Sequence, residues 1–253
     1  MFIEVSGQGP ALVMLHGWSM NRRVWQLVKP YLENDFTLYG VDLPGHGDSD
    51  WQPGALDADK LLPALAAQLP QQAIWLGWSL GGQIALQFAH AFPEKVERLM
   101  LLAATPKFVA DTRWQTAMPA ATFAEFSQAL NNEPAQLLQT FLLLQARGAQ
   151  NARDTIRTLQ DEVLQGKSAQ PEALRAGLDC LAQFDGRALL ADLPVPVSVL
   201  LGERDNLVPA ELAAALKMLQ PALDCQLIDG AGHAPMISHP AETAAMLKSM
   251  ING

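Results

Sequence analysis

The chain has little cysteine and little positive charge, and no long apolar run. Two cysteines, Cys180 and Cys225, stand among 253 residues. They fall on different predicted elements and make no disulfide framework, so free thiols in a reducing cytoplasm are the expectation. No run approaches the ~20 apolar residues a membrane span requires, which argues against a membrane partner. Met1 is followed by alternating and Gly-rich residues rather than by a secretion signal. Lys and Arg number 17 against 26 Asp and Glu, a formal net charge of −9, which disfavours nucleic acid. No His/Cys/Asp spacing fits a metal site, and no metal or other cofactor is expected. The segment Asp42-Leu43-Pro44-Gly45-His46-Gly47 has the glycines of a phosphate loop without its lysine. Its proline and two glycines suit a tight loop. Repeats and low-complexity tracts are absent.

What is present is apolar and periodic. Hydrophobic residues make up 49% of the chain, enough for one large core. Strand-like runs fall near 11–15, 36–41, 73–77, 98–103, 195–201 and 224–228, and helical patterns near 22–33, 58–69, 80–92, 209–219 and 240–250. This alternation predicts an α/β fold, a mostly parallel sheet covered on both faces by helices. Phe2–Val5 could add an antiparallel edge strand.

The most informative stretch is Gly77-Trp78-Ser79-Leu80-Gly81. A Gly-x-Ser-x-Gly pentapeptide recurs by chance. Set between the apolar run Ala73–Leu76 and the helical pattern Gln83–Ala89, it has the strand-to-helix context of a nucleophile elbow. The bland alternative is an ordinary turn that contains a serine. A serine hydroxyl needs a base, usually a histidine held by a carboxylate, and behind such an elbow the chain order is serine, acid, histidine. Asp205 follows the run Val195–Leu201, and His233 follows Cys225–Ile228, so both lie past carboxyl ends of predicted strands, where parallel sheets present their chemistry. Glu203 competes with Asp205, and Asp229 is too close to His233 in sequence to orient it. Asp205 also reads as a turn former before Asn206. His16, His46 and His90 precede the acid, and His239 reads as a helix-start residue. The loop after Ala11–Leu15 offers the backbone N–H of Trp18 as one oxyanion donor, with that of Leu80 as the second. His16 would brace this loop through hydrogen bonds.

The pairing of Leu15-His16-Gly17-Trp18 with Val41–Ser49, and the order Ser79, Asp205, His233, resemble the α/β-hydrolase fold family over nearly the whole chain. Trp75-Leu76-Gly77-Trp78-Ser79-Leu80-Gly81-Gly82, Phe141–Gln145 and His233–Pro240 are most similar to the pimeloyl-[acyl-carrier protein] methyl ester esterases of biotin synthesis. That resemblance implies a monomeric cytoplasmic serine carboxylesterase. It would release methanol from a pimeloyl methyl ester borne on acyl carrier protein, with Trp18, Trp78 and Phe141 lining the acyl channel. It also implies a hydrolase core over 1–105 and 194–253 and a helical cap over 106–193, folding as one domain. Four cap helices are predicted near 120–131, 134–147, 151–165 and 171–183, with Pro119, Pro134 and Pro171 near their starts. Arg153 and Arg157, four apart and on one helix face, match basic cap positions that would meet an acidic carrier. Gln136 and Thr140 stand where the family leads one to expect further arginines, and a solvated helix face is the competing reading of the two that remain. A small-ester, lactone or C–C bond hydrolase on the same triad is the alternative. A non-catalytic binding protein would be expected to lack a triad member, and all three are present.

Overall fold

The structure, a computed structural model, describes residues 1–163 and 167–253. Seven strands form one sheet: β1 (Phe2–Gly7), β2 (Ala11–Leu15), β3 (Thr37–Asp42), β4 (Ala73–Trp78), β5 (Val96–Leu102), β6 (Val197–Gly202) and β7 (Asp224–Ile228). Their spatial order is β1-β3-β2-β4-β5-β6-β7. Only β1 runs antiparallel, against β3, with Ile3 opposite Val41. The parallel registers set Leu15 beside Gly77, Trp78 beside Leu102 and Gly202 beside Ile228. The carboxyl ends of β2, β4, β6 and β7 therefore share one edge of the sheet.

Topology places the crevice. From β2 the chain moves outward to β3, then crosses back to lay β4 on the other side of β2. The loops leaving β2 and β4 thus diverge to opposite faces. Ligands sit at such a switch point in open α/β sheets.

The helices are α1 (Lys29–Leu32), α2 (Ala58–Gln68), α3 (Leu80–Ala91), α4 (Ala120–Asn132), α5 (Pro134–Ala146), α6 (Ala152–Thr158), α7 (Pro171–Gln183), α8 (Arg187–Ala191), α9 (Leu212–Leu219), α10 (Pro235–Ser238) and α11 (Pro240–Asn252). Residues buried on β4 and α3, among them Trp75 and Phe88, anchor the core. Their rings stack with centroids 3.8 Å apart. Burying side chains of this size stabilises by about 1.5–3 kcal/mol each. Helices α4 to α8 lie between β5 and β6.

Expectation and structure differ in three places. The helix predicted over 22–33 is broken into a 3-10 turn, Arg22–Trp25, and α1. Pro30 explains this, because proline within a continuous helix removes one bond and its ring clashes with the carbonyl four residues back. The helix predicted over 151–165 is α-helical only over Ala152–Thr158 and continues as a π-helical turn, Leu159–Val163. Its last two positions, 164 and 165, lie outside the described residues. Finally, α8 and α10 were not expected, since five and four residues are too short to show a 3.6-residue period.

Candidate active site

Ser79 joins β4 to α3 with φ 54° and ψ −117°. A non-glycine residue there costs on the order of 1–3 kcal/mol and persists only where its surroundings hold it. Here close packing does so. A Cβ at Gly77 would collide with the Gly81 carbonyl, and one at Gly81 with the carbonyls of Leu15 and His16. Strand and helix meet at this corner only because both positions are glycine.

The loop after β2 lies against the same corner. A Cβ at Gly17 would stand 3.2 Å from Ser79 Cβ and 3.1 Å from the Trp78 ring. His16 holds this loop as expected. Its Nε2 accepts from the Leu43 N–H at 3.0 Å, so the proton is on Nδ1, which donates to the Gly17 carbonyl at 2.8 Å. Burial keeps its pKa well below the usual histidine value, so the ring stays neutral and the tautomer fixed. Trp18 follows, and its indole N–H donates to the Leu174 carbonyl on α7 at 2.8 Å. Leu80, the first residue of α3, contributes one of the N–H groups that a helix start leaves without an intrahelical partner.

Asp205 and His233 meet across the β6 and β7 loops. His233 Nδ1 lies 2.7 Å from Asp205 Oδ2. The other carboxylate oxygen, Oδ1, accepts the backbone N–H groups of Leu207 at 2.8 Å and Val208 at 3.0 Å. An ionised carboxylate only accepts, so Nδ1 carries the proton and Nε2 presents its lone pair. Among the described residues Nε2 has no hydrogen-bond partner. Trp78 donates its indole N–H to the His233 carbonyl at 2.7 Å.

Ser79 and His233 line one narrow cavity, about 20 Å³ in volume, with Trp18, Phe126 and Phe141. Trp18 packs edge-on against Phe141 and Phe126, with centroids 4.9 and 5.4 Å apart. Ser79 is 9% and His233 1% exposed, so both face a nearly dry, apolar space.

Other residues weighed in the sequence lie outside this cavity. Trp78 is not among the residues that line this cavity; it is fully buried and its indole N–H supports the His233 loop. The indole is drawn away because its N–H needs a buried acceptor and finds the His233 carbonyl. Glu203 turns outward to accept the Gly230 N–H at 2.9 Å. His239 faces Ser238 Oγ at 2.8 Å. Arg153 and Arg157 are both exposed on α6, and Arg157 pairs with Asp154 at 3.2 Å. Sequence reasoning missed Phe108, Met118, Phe123 and Phe126 in the cavity wall. The three-residue spacing of Phe123 and Phe126 on one helix was the available signal. Among the described residues no cluster could hold a metal ion and no helix is long and apolar enough to cross a membrane.

Comparison with known proteins agrees with this architecture. Residues 12–246 match the alpha/beta hydrolase family. A pimeloyl-[acyl-carrier protein] methyl ester esterase from Methylococcus capsulatus is 38% identical over 255 residues, covering 99% of this chain and 98% of that one. Its counterpart from Klebsiella pneumoniae is 41% identical over 239 residues, covering 94% and 92%. The crystal structure of a bromoperoxidase from Bacillus anthracis superposes with a TM-score of 0.88 at 20% identity, covering 99% of this chain and 95% of that one; at that distance it speaks for the fold alone. The chain is a member of the alpha/beta hydrolase family and, within it, of the group formed by the pimeloyl-[acyl-carrier protein] methyl ester esterases.

Proposed function

We propose that this protein is a serine carboxylesterase that hydrolyses the methyl ester of a pimeloyl chain carried on acyl carrier protein, with Ser79 as nucleophile, His233 as base and Asp205 as its orienter. The observation that carries the reading is the shared cavity. It sets a strained serine and a histidine with an unpartnered Nε2 under a wall of aromatic rings, in a chain about 40% identical to esterases of that name.

His233 Nε2 takes the Ser79 proton as Oγ attacks the ester carbonyl. The tetrahedral oxyanion is met by the main-chain N–H groups of Trp18 and Leu80, preorganised donors worth about 3–4 kcal/mol each in the barrier. Asp205 stabilises the imidazolium that forms. The same proton passes to the methoxy group, methanol leaves, and pimeloyl remains as an ester of Ser79. Water then gives a proton to His233 and attacks the acyl carbon. Collapse returns the proton to Ser79 Oγ and frees the carboxylate.

The dry wall suits the acyl chain, since each buried methylene gains about 0.8 kcal/mol and offers nothing for a polar site to read. Trp18 and Phe141 are the channel residues. The helices between β5 and β6 act as a cap over this channel, folding with the core as one domain. Exposed Arg153 and Arg157 on α6 meet the acidic carrier. The whole chain is acidic, but charges beyond a Debye length of roughly 8 Å are screened, so a local basic pair suffices. A cytoplasmic monomer fits this role.

The test is growth. The wild-type chain should rescue a biotin auxotroph that lacks its own pimeloyl methyl esterase, and Ser79→Ala should not. Failure of the well-expressed wild type, with cleavage of simple esters intact, would leave the chemistry standing and remove the carrier-borne substrate.

A further inference from the structure

The segment 145–151 links α5 to α6 and lies across the two loops that carry Asp205 and His233. Three hydrogen bonds join it to them, and a fourth joins it to the end of α10, the helix that follows the His233 loop. The Gln145 carbonyl accepts the His233 N–H at 3.0 Å, and the Gln150 N–H donates to the Gly230 carbonyl at 3.1 Å. Asn206 Nδ2 donates to the Arg147 carbonyl at 2.9 Å and to the Arg204 carbonyl at 3.1 Å. Asn151 Nδ2 donates to the Ser238 carbonyl at 2.7 Å. Gln145 and Arg147 lie at the end of α5, where carbonyls lack helical partners and must find donors elsewhere. They find them on the catalytic loops.

The fit is close. Gly148 has φ +87°, and a Cβ there would lie 3.0 Å from both the Arg204 carbonyl oxygen and Asn206 Nδ2. The segment turns tightly enough to lie directly on the acid loop. Asp205 sits between Arg204 and Asn206, so the amide just after the carboxylate ties the carbonyl just before it to the 145–151 segment.

We propose that Asn206 and Asn151 are positioning residues of this site: Asn206 pins the 145–151 segment to the acid loop and Asn151 pins it to the end of α10, just past the His233 loop, and the alignment of His233 with Ser79 depends on that pin. The proposal rests on the roles given above to Ser79, Asp205 and His233. Neither asparagine lines the cavity with Ser79, so neither touches substrate and both act through the loops. Helix α6, which carries Arg153 and Arg157, begins immediately after Asn151. A protein seated on α6 therefore pulls on the segment that holds the base.

The test uses the full-length protein and a short chromogenic ester, which needs no carrier protein. Asn206→Ala removes the donor. Asn206→Asp keeps the shape and replaces the donor with an oxygen facing two carbonyls, which separates donation from packing. Both should lower kcat roughly tenfold, the scale expected when a catalytic group is displaced by less than 1 Å. KM should stay within about twofold and the melting temperature within a few degrees. Asn151→Ala should act in the same direction with a smaller effect. Wild-type kcat in Asn206→Asp would overturn the proposal, because shape alone would then suffice. So would a fall in kcat matched by a collapse in melting temperature, which marks a merely structural residue. Turnover that survives Ser79→Ala would instead sink the triad, a result distinguishable from both.

Discussion

The corner that holds Ser79 and the corner that holds Asp205 and His233 are built by different means. At Ser79 the backbone is fixed by contact: β4, α3 and the loop after β2 approach so closely that Gly77 and Gly81 leave no room for a side chain. At Asp205 and His233 it is fixed by hydrogen bonds, several of them from the segment between α5 and α6. Packing forces are short-ranged and local to the core, so the first corner is as rigid as the sheet. Directional bonds from a peripheral segment give the second corner a geometry that depends on where that segment sits. The proposed site thus joins a rigid half to an adjustable half.

The contrast can be broken most sharply at the reacting atoms. Ser79→Ala and His233→Ala should each lower kcat by roughly 10⁴- to 10⁶-fold, because members of such a unit fail together. A serine-reactive fluorophosphonate should label the wild type and not Ser79→Ala, and near-normal turnover in either variant would refute the assignment. Next comes the rigid half. Gly81→Ala pushes a methyl group into the Leu15 and His16 carbonyls and should cost about 3 kcal/mol, the upper end of overpacking effects. An unchanged urea midpoint would show that the corner is looser than its contacts imply.

The same half should also be acid-sensitive. His46 is fully buried beside His16, with ring centroids 5.1 Å apart, and burial lowers its pKa to about 4. The unfolded chain titrates near 6.5, so it binds more protons in that window and stability falls with pH through it. Stability is fully present above ~6.5, and about 2 kcal/mol should be lost from this ring between pH 7 and pH 5. Chemical denaturation at the two pH values, in wild type and His46→Gln, measures the difference; equal losses in both would exclude this ring as the cause. The smallest effect belongs to the adjustable half. Arg153→Glu with Arg157→Glu should lower kcat/KM several-fold for a carrier-borne ester at low salt and leave a small chromogenic ester untouched, as rim charges do. Equal kinetics on both substrates would remove α6 from carrier binding.

Legibility in the sequence followed the range of the force involved. The strands near 11–15, 73–77 and 224–228 were readable to within a residue, because apolar runs bounded by turn residues report burial directly. Of the four helices predicted between β5 and β6, three agree to within one residue, helped by the proline at or just before each start. The Asp205–His233 contact could be anticipated from chain order alone. Trp78 could not be placed, since neighbours in sequence say nothing about which side of a wall a ring occupies. Asn206 was legible only as the residue after an aspartate. Its role comes from Arg147, which is 59 positions away in the chain.

Local chemistry therefore determined the α/β alternation, the serine turn and the identity of its partners, because glycine spacing and hydrophobic period act over a few residues. Tertiary structure alone decided which rings line the cavity with Ser79, how Asp205 and His233 are oriented and what holds them there. Those outcomes depend on distances between segments that only the closed sheet and the helices above it bring together.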